Sequence, residues 1–173
     1  MLALTVLNVV IGNADAHSRN MSILHYRNGR MELAPGYDLT PTAFYRGIPT
    51  RDGAKDMSDE LGMFINRKRS VHQVNRQDLL LEGENWGLSR IAAAEVIERA
   101  IQRIRTYIEQ PVTSKLPASI MEFFAQRLQN IESGGYPDGA GGGKHHITAK
   151  TPVIISAAPE LSDKRDSHGH EMS

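Results

Sequence analysis

The sequence predicts a mainly α-helical domain with one short β-hairpin set into it, and its apolar patterning carries that expectation. The segment from Leu2 to Ile11 is almost continuously apolar. Two later segments, after Ser89 and after Pro117, repeat isoleucine, leucine and phenylalanine at three- and four-residue intervals. A single Asn28-Gly29 pair stands between two short apolar runs, the strongest local signal for a hairpin turn. With 173 residues and 40% hydrophobic content, the chain can bury one core of ordinary size.

The elements follow in order. Leu2, Leu4, Val6, Leu7, Val9, Val10 and Ile11 cover most of a helix circumference, which predicts a buried helix. That run is too short to span a bilayer. It has no basic residue ahead of it and contains Asn8, so neither a membrane span nor a signal peptide is expected. Met21 to Tyr26 and Met31 to Ala34 read as short strands joined through Arg27-Asn28-Gly29-Arg30, with a type I′ turn at Asn28-Gly29. Pro35-Gly36 ends the return strand.

Thr40 to Asp56 holds Pro41, Gly47, Pro49 and Gly53, a long connection carrying Arg46, Arg51 and Lys55 as candidate contacts for an acidic or phosphorylated partner. Asp59 to Asn66 is expected to be helical, with Arg67-Lys68-Arg69 at its end in favourable contact with the helix dipole. Asp78 to Leu81 and Trp86 belong to a short helix below the site. Ser89 caps the next helix, which ends before Pro111. Ile97, Ile101, Ile104 and Ile108 lie on one of its faces, and Glu95, Arg99 and Arg103 on another. A last helix starts near Pro117-Ala118-Ser119 and carries Ile120, Phe123, Phe124, Leu128 and Ile131 as core. From Gly134 to Gly143 the composition is that of a flexible linker, so residues 134–173 are expected to be largely disordered, outside a folded unit of residues 1–133. His145-His146 and His168-Gly169-His170 lack a spaced third ligand, and no dedicated metal site is expected there.

Composition narrows the chemistry. Lys and Arg number 20, as do Asp and Glu, so the formal net charge is zero and no long-range basic field favours direct nucleic-acid binding. With no cysteine there are no disulfides, thiol nucleophiles or thiolate metal sites, which fits a reducing cytoplasm. The informative stretch is Asn13-Ala14-Asp15-Ala16-His17-Ser18-Arg19-Asn20. An Asp with an Asn five residues later is the arrangement in which a carboxylate takes the proton of an attacking hydroxyl while an amide oxygen holds Mg²⁺ bound to ATP. A second acid must complete the metal's protein ligands. At about 3.3 Å per strand residue the outward and return strands are of similar length, so Asp38 comes back beside Asn20. Asp15 is thus the candidate base, and Asn20 and Asp38 are the candidate metal and nucleotide ligands. His17 is a further catalytic candidate that would contact a phosphate or orient Asp15.

These residues resemble the HipA-like toxin kinases, bacterial serine/threonine protein kinases of toxin–antitoxin systems. The resemblance rests on the block Ile11-Gly12-Asn13-Ala14-Asp15-Ala16-His17-Ser18-Arg19-Asn20-Met21-Ser22 and on Leu33-Ala34-Pro35-Gly36-Tyr37-Asp38-Leu39, in order and at the family's spacing. It continues more loosely through the helices to about Ser133. It implies a helical kinase-like C-lobe with the hairpin beside the catalytic loop, Asp15 as base, and Asn20 and Asp38 on Mg²⁺. It also implies ATP as phosphoryl donor, a hydroxyl on a translation component such as an aminoacyl-tRNA synthetase as acceptor, and a HipB-like helix-turn-helix antitoxin as partner. DNA would be met only through that antitoxin. The Gly-rich loop and Lys that cover ATP phosphates cannot be placed before Val10, so the chain reads as the C-terminal lobe of such a kinase. The face that receives the small lobe should then be apolar.

Two other readings stand beside this one. The chain is also compatible with a catalytically silent module that binds the antitoxin. The third reading is a small-molecule phosphotransferase, since aminoglycoside and choline kinases share an Asp-x-x-x-x-Asn loop followed by a metal-binding Asp. Their loop usually has His-Gly before that Asp, where this chain has Asn13-Ala14.

Overall fold

A computed structural model of the chain describes residues 1–47, 57–110 and 116–134. The expectations for Arg51 and Lys55, and for the tail beyond Gly134, fall outside those residues. Four helices, α1 (Leu2–Ile11), α2 (Arg76–Asn85), α3 (Arg90–Glu109) and α4 (Ala118–Ser133), form the mainly α framework. Two small antiparallel hairpins are set into it, β1 (Ile23–His25) with β2 (Met31–Leu33), and β3 (Glu60–Ile65) with β4 (Lys68–Ser70).

Helix α1 is the centre of the fold because it is apolar on nearly every side. Leu2, Val6, Val9 and Val10 are buried among Leu79 of α2, Ala93, Ile97 and Ile101 of α3, and Leu128 and Ile131 of α4. Each such side chain contributes roughly 1.5–3 kcal/mol of hydrophobic stabilisation. A second apolar cluster of Ile11, Ile120 and Phe124, with Leu39, Phe44 and Phe123 against it, closes the end of α1 nearest the site. The Phe44 and Phe123 rings meet edge-on there, with centroids 5.4 Å apart.

The caps explain where the helices start and stop. Ser89 Oγ accepts the Ala92 N–H at 3.2 Å and opens α3 as expected. Helix α2 begins on a reciprocal box that the sequence reading did not pick out: Asn75 Oδ1 accepts from Asp78 N, and Asp78 Oδ2 accepts from Asn75 N. Trp86 lies just past the end of that helix.

Two local expectations are corrected. The segment from Asp59 to Asn66 is not a helix: it contains β3, which turns back into β4. Leu61 and Ile65 are both buried, and their four-residue spacing suits a helix face as well as alternate strand positions. Tertiary contact decides between them, since the Gly62 N–H donates to Ala14 O at 2.7 Å. Arg67-Lys68-Arg69 therefore lies at the hairpin tip and along β4 and not in the last turn of a helix, with the Arg69 guanidinium 5.4 Å from the Phe64 ring centre.

The second correction concerns the turns. At the β1–β2 tip only Gly29 has positive φ, at 82°. Gly29 N bonds Tyr26 O, and Tyr26 N bonds Arg30 O, each at 2.9 Å. The result is a three-residue loop with a left-handed glycine rather than a two-residue I′ turn. Asn28 Oδ1 instead accepts the Arg30 N–H at 3.0 Å. The two-residue turn with both φ values positive is the β3–β4 tip, at Asn66 (44°) and Arg67 (64°).

Candidate active site

The site is assembled where α1 ends. Gly12 caps the helix in the left-handed conformation, φ 73°, and a Cβ there would lie 2.8 Å from Phe123 Cε1. The loop that leaves Gly12 is held from both sides. Thr42 Oγ1 accepts the Ala14 N–H at 2.9 Å, Gly12 O accepts the Ala43 N–H at 2.9 Å, and Ala14 O takes the bond from Gly62. These ties fix the backbone immediately before Asp15.

Asp15 itself is exposed, and its carboxylate makes no hydrogen bond among the described residues. An open carboxylate on a fixed backbone is what a base for an incoming hydroxyl requires. A 3₁₀ turn, Ser18–Asn20, follows, in which the His17 N–H donates to Asn20 Oδ1 at 3.2 Å. Asn20 Nδ2 in turn donates to Asp38 Oδ2 at 2.6 Å. The hairpin thus brings Asn20 and Asp38 together across eighteen residues of sequence.

Tyr37 reinforces that closure. Its hydroxyl donates to Arg19 O and lies 3.3 Å from Ser22 Oγ. Asp38 adopts φ 55°, in the left-handed region where non-glycine residues are uncommon and where strain gathers at functional sites. The Asn13 side chain is buried and donates from Nδ2 to Asp38 O at 3.0 Å. His17 is partly buried and does not hydrogen-bond Asp15. Its Nδ1 is enclosed without a partner among the described residues.

The donor set suits one hard cation shared with a polyphosphate. Among the described residues no group of three or more His, Asp or Glu gathers as a metal cluster. Mg²⁺ needs none, because it binds through one or two side-chain oxygens while substrate phosphates and water complete the octahedron. Asp38 offers a carboxylate. A half-turn of the Asn20 amide would exchange Nδ2 for Oδ1 beside it, at the cost of the bond from His17 N.

Behind the loop stands a buried brace. Arg127 of α4 is 2% exposed and donates through Nε to Val9 O (2.7 Å) and through Nη2 to Val71 O (2.8 Å). Its Nη1 lies 3.2 Å from His72 Nδ1. Burial first, and the Arg127 charge second, push the His72 imidazole down to about 4 from its ordinary 6.5. Asp59 lies 4.0 Å from His72 and is paired with Arg46 at 3.0 Å. Arg46, a candidate contact for an acidic partner, is therefore engaged by the fold itself.

Sequence reasoning singled out Asp15, His17, Asn20 and Asp38, and passed over Asn13, Thr42, Gly62 and Arg127. Thr42 and Gly62 reach the loop from far along the chain and have no local pattern. Gly62 also lay within the segment read as a helix. Asn13 stood in plain view as the neighbour of Ala14, but nothing local marks a buried amide.

The chain is similar to known proteins. The family model described as the HipA-like C-terminal domain matches residues 1–108. A protein of Sinorhizobium fredii named "Putative kinase Y4mE" is 33% identical over 75 residues, which is 43% of this chain and 16% of that protein. Among solved structures, the chain is similar to one from the Shewanella oneidensis toxin–antitoxin complex of HipA, HipB and operator DNA, with TM-score 0.58 and 26% identity. That likeness covers 76% of this chain and 30% of the other. The chain thus spans less than a third of either relative's length.

Proposed function

The chain belongs to the HipA-like C-terminal domain family, and on that premise we propose that it is the catalytic lobe of a protein serine/threonine kinase, the toxin component of a toxin–antitoxin pair. The observation that carries this reading is the meeting of Asn20 and Asp38 at 2.6 Å on a loop whose fixed backbone presents an open Asp15 carboxylate. Asp15 accepts the proton of the acceptor hydroxyl as that oxygen attacks the γ-phosphorus of ATP, whose bond to the bridging oxygen breaks and releases ADP. Asn20 and Asp38 would hold Mg²⁺, which when bound would neutralise the charge of the phosphate oxygens. His17, partly buried two residues beyond Asp15, supplies a phosphate contact at the edge of the loop.

The acceptor in this reading is a hydroxyl on a protein, with a translation component such as an aminoacyl-tRNA synthetase as the substrate class. A HipB-like helix-turn-helix antitoxin is the partner, and DNA is met through it. In this reading a phosphate-covering loop and its Lys complete the nucleotide site. The β1–β2 hairpin, with Ile23, Leu24, Met31 and Leu33 exposed, is an apolar surface suited to receiving that loop.

Calorimetric titration with Mg-ATP tests this, using the chain alone and then mixed with any polypeptide encoded immediately upstream. The expected result is binding in the mixture, with phosphoryl transfer abolished by Asp15→Ala while the fold is kept. Unchanged turnover in Asp15→Ala would sink the assignment. A second reading, a silent antitoxin-binding module, draws on the HipA neighbour's being solved with HipB. It predicts no Mg-ATP binding in either case, with capture of a helix-turn-helix protein that is indifferent to Asp15→Ala.

A further inference from the structure

We propose that Asn13 is a positioning residue for the metal-holding carboxylate, its buried amide setting the backbone of Asp38; the proposal rests on the kinase reading above. Asn13 is 2% exposed, and its Nδ2 spends both hydrogens, one on Asn8 Oδ1 at 3.1 Å and one on Asp38 O at 3.0 Å. Its own N–H is fixed to Asn8 O at 2.8 Å. The side chain is therefore a short, rigid bracket from the last turn of α1 to the segment that follows β2.

The Asp38 side chain is held by Asn20 and its neighbour Tyr37 by Arg19, but the Asp38 backbone depends on the bracket. Among the described residues, the bond from Asn13 is the only hydrogen bond to the backbone of Asp38. That backbone sits at φ 55°, a conformation that a non-glycine residue leaves readily unless its surroundings hold it. The same residue must present Oδ2 to Asn20. A lapse of the carbonyl bond allows Asp38 to relax toward negative φ and swings the carboxylate away from Asn20.

The chemistry at position 13 follows. Asp38 O is a main-chain carbonyl and only accepts, so it fixes which end of the Asn13 amide faces it. Asn13 Oδ1 then points into the interior, where it finds no partner among the described residues. An amide retained for packing alone has no reason to leave its oxygen orphaned. One that must donate to a fixed carbonyl does. An aspartate at this position would turn an acceptor toward both neighbours.

The test uses the full chain, isotopically labelled and mixed with the upstream polypeptide of the calorimetric titration, with Mn²⁺ as the metal probe in the presence of ATP. Asn13→Leu keeps the branched outline of the side chain and removes the donors, whereas Asn8→Ala removes only the other partner. The expected result is that Asn13→Leu shifts the Asp38 carbonyl carbon and the Leu39 amide nitrogen. It should also weaken Mn²⁺ broadening at Asn20 and Asp38 by roughly tenfold or more, as removal of outer-shell partners does. Asn8→Ala should leave both signals near wild type. If Asn13→Leu does not fold, Asn13→Ser, whose hydroxyl is too short to reach Asp38 O, takes its place. Unmoved Asp38 and Leu39 resonances, or equal effects from Asn8→Ala, would overturn the proposal. Absence of Mn²⁺ broadening in the unmutated chain within that mixture would instead overturn the kinase reading, and the carbonyl and amide shifts would still decide the role of Asn13.

Discussion

Replacing Arg127 with methionine should destabilise the domain by about 2–4 kcal/mol. The guanidinium reaches Val9 O, Val71 O and His72 Nδ1 from a position 2% exposed. Hydrogen bonds from a charged donor are worth roughly 1.5–3 kcal/mol each, and a buried carbonyl left without its donor costs about 1–3 kcal/mol. The sum is reduced in two ways. Val9 O keeps a bond from Gly12 N at 3.3 Å, and Val71 O one from Val74 N at 3.4 Å. Methionine also fills most of the space and removes the cost of burying a charge.

For a domain of this size about 3 kcal/mol lowers the Tm by roughly 10 °C. Far-UV circular dichroism melts and urea titrations would measure it. A second readout is independent of stability. With the neighbouring charge gone, the His72 imidazole should titrate higher than about 4, observable by NMR. A loss under about 1 kcal/mol together with an unmoved His72 would refute the idea that this arginine braces the loop from behind.

Other outcomes follow from the same geometry. Because the folded protein holds His72 near 4 and the unfolded chain near 6.5, the unfolded state binds the extra proton between those values. His72 therefore contributes stability that is present above about pH 6.5 and lost as the pH falls toward 4. His72→Gln should flatten that part of a stability–pH profile, and an unchanged slope would contradict the burial. Arg67→Gly should stabilise by roughly 0.5–1 kcal/mol, since φ 64° suits glycine, whereas in a helix the same change would cost about 1 kcal/mol. The sign of that change in urea titration thus tests the hairpin directly. Asp38→Ala should weaken Mg-nucleotide binding in the completed complex without lowering the Tm, and calorimetry with unchanged affinity would remove Asp38 from the metal site.

Much of this molecule is legible along the chain because the signals are local. Apolar residues at helical spacing marked α1, α3 and α4, Ser89 marked a cap, and Asn28-Gly29 marked a hairpin, although not its turn type. Asp15, Asn20 and Asp38 stood out because their chemistry and spacing suit one reaction, and the hairpin between them made their convergence a matter of strand length. Other features depended on contacts that no window of sequence contains. Leu61 and Ile65 suit a helix face or a strand face equally, and the bond from Gly62 to Ala14 across the fold selects the strand. Asn13, Thr42 and Arg127 are ordinary polar residues until packing excludes water around them and leaves each with fixed partners. The sequence by itself determined which groups are the candidates for the chemistry. Only the tertiary structure decided which groups hold them in place, because a buried hydrogen bond acquires its direction from where two distant segments of backbone meet.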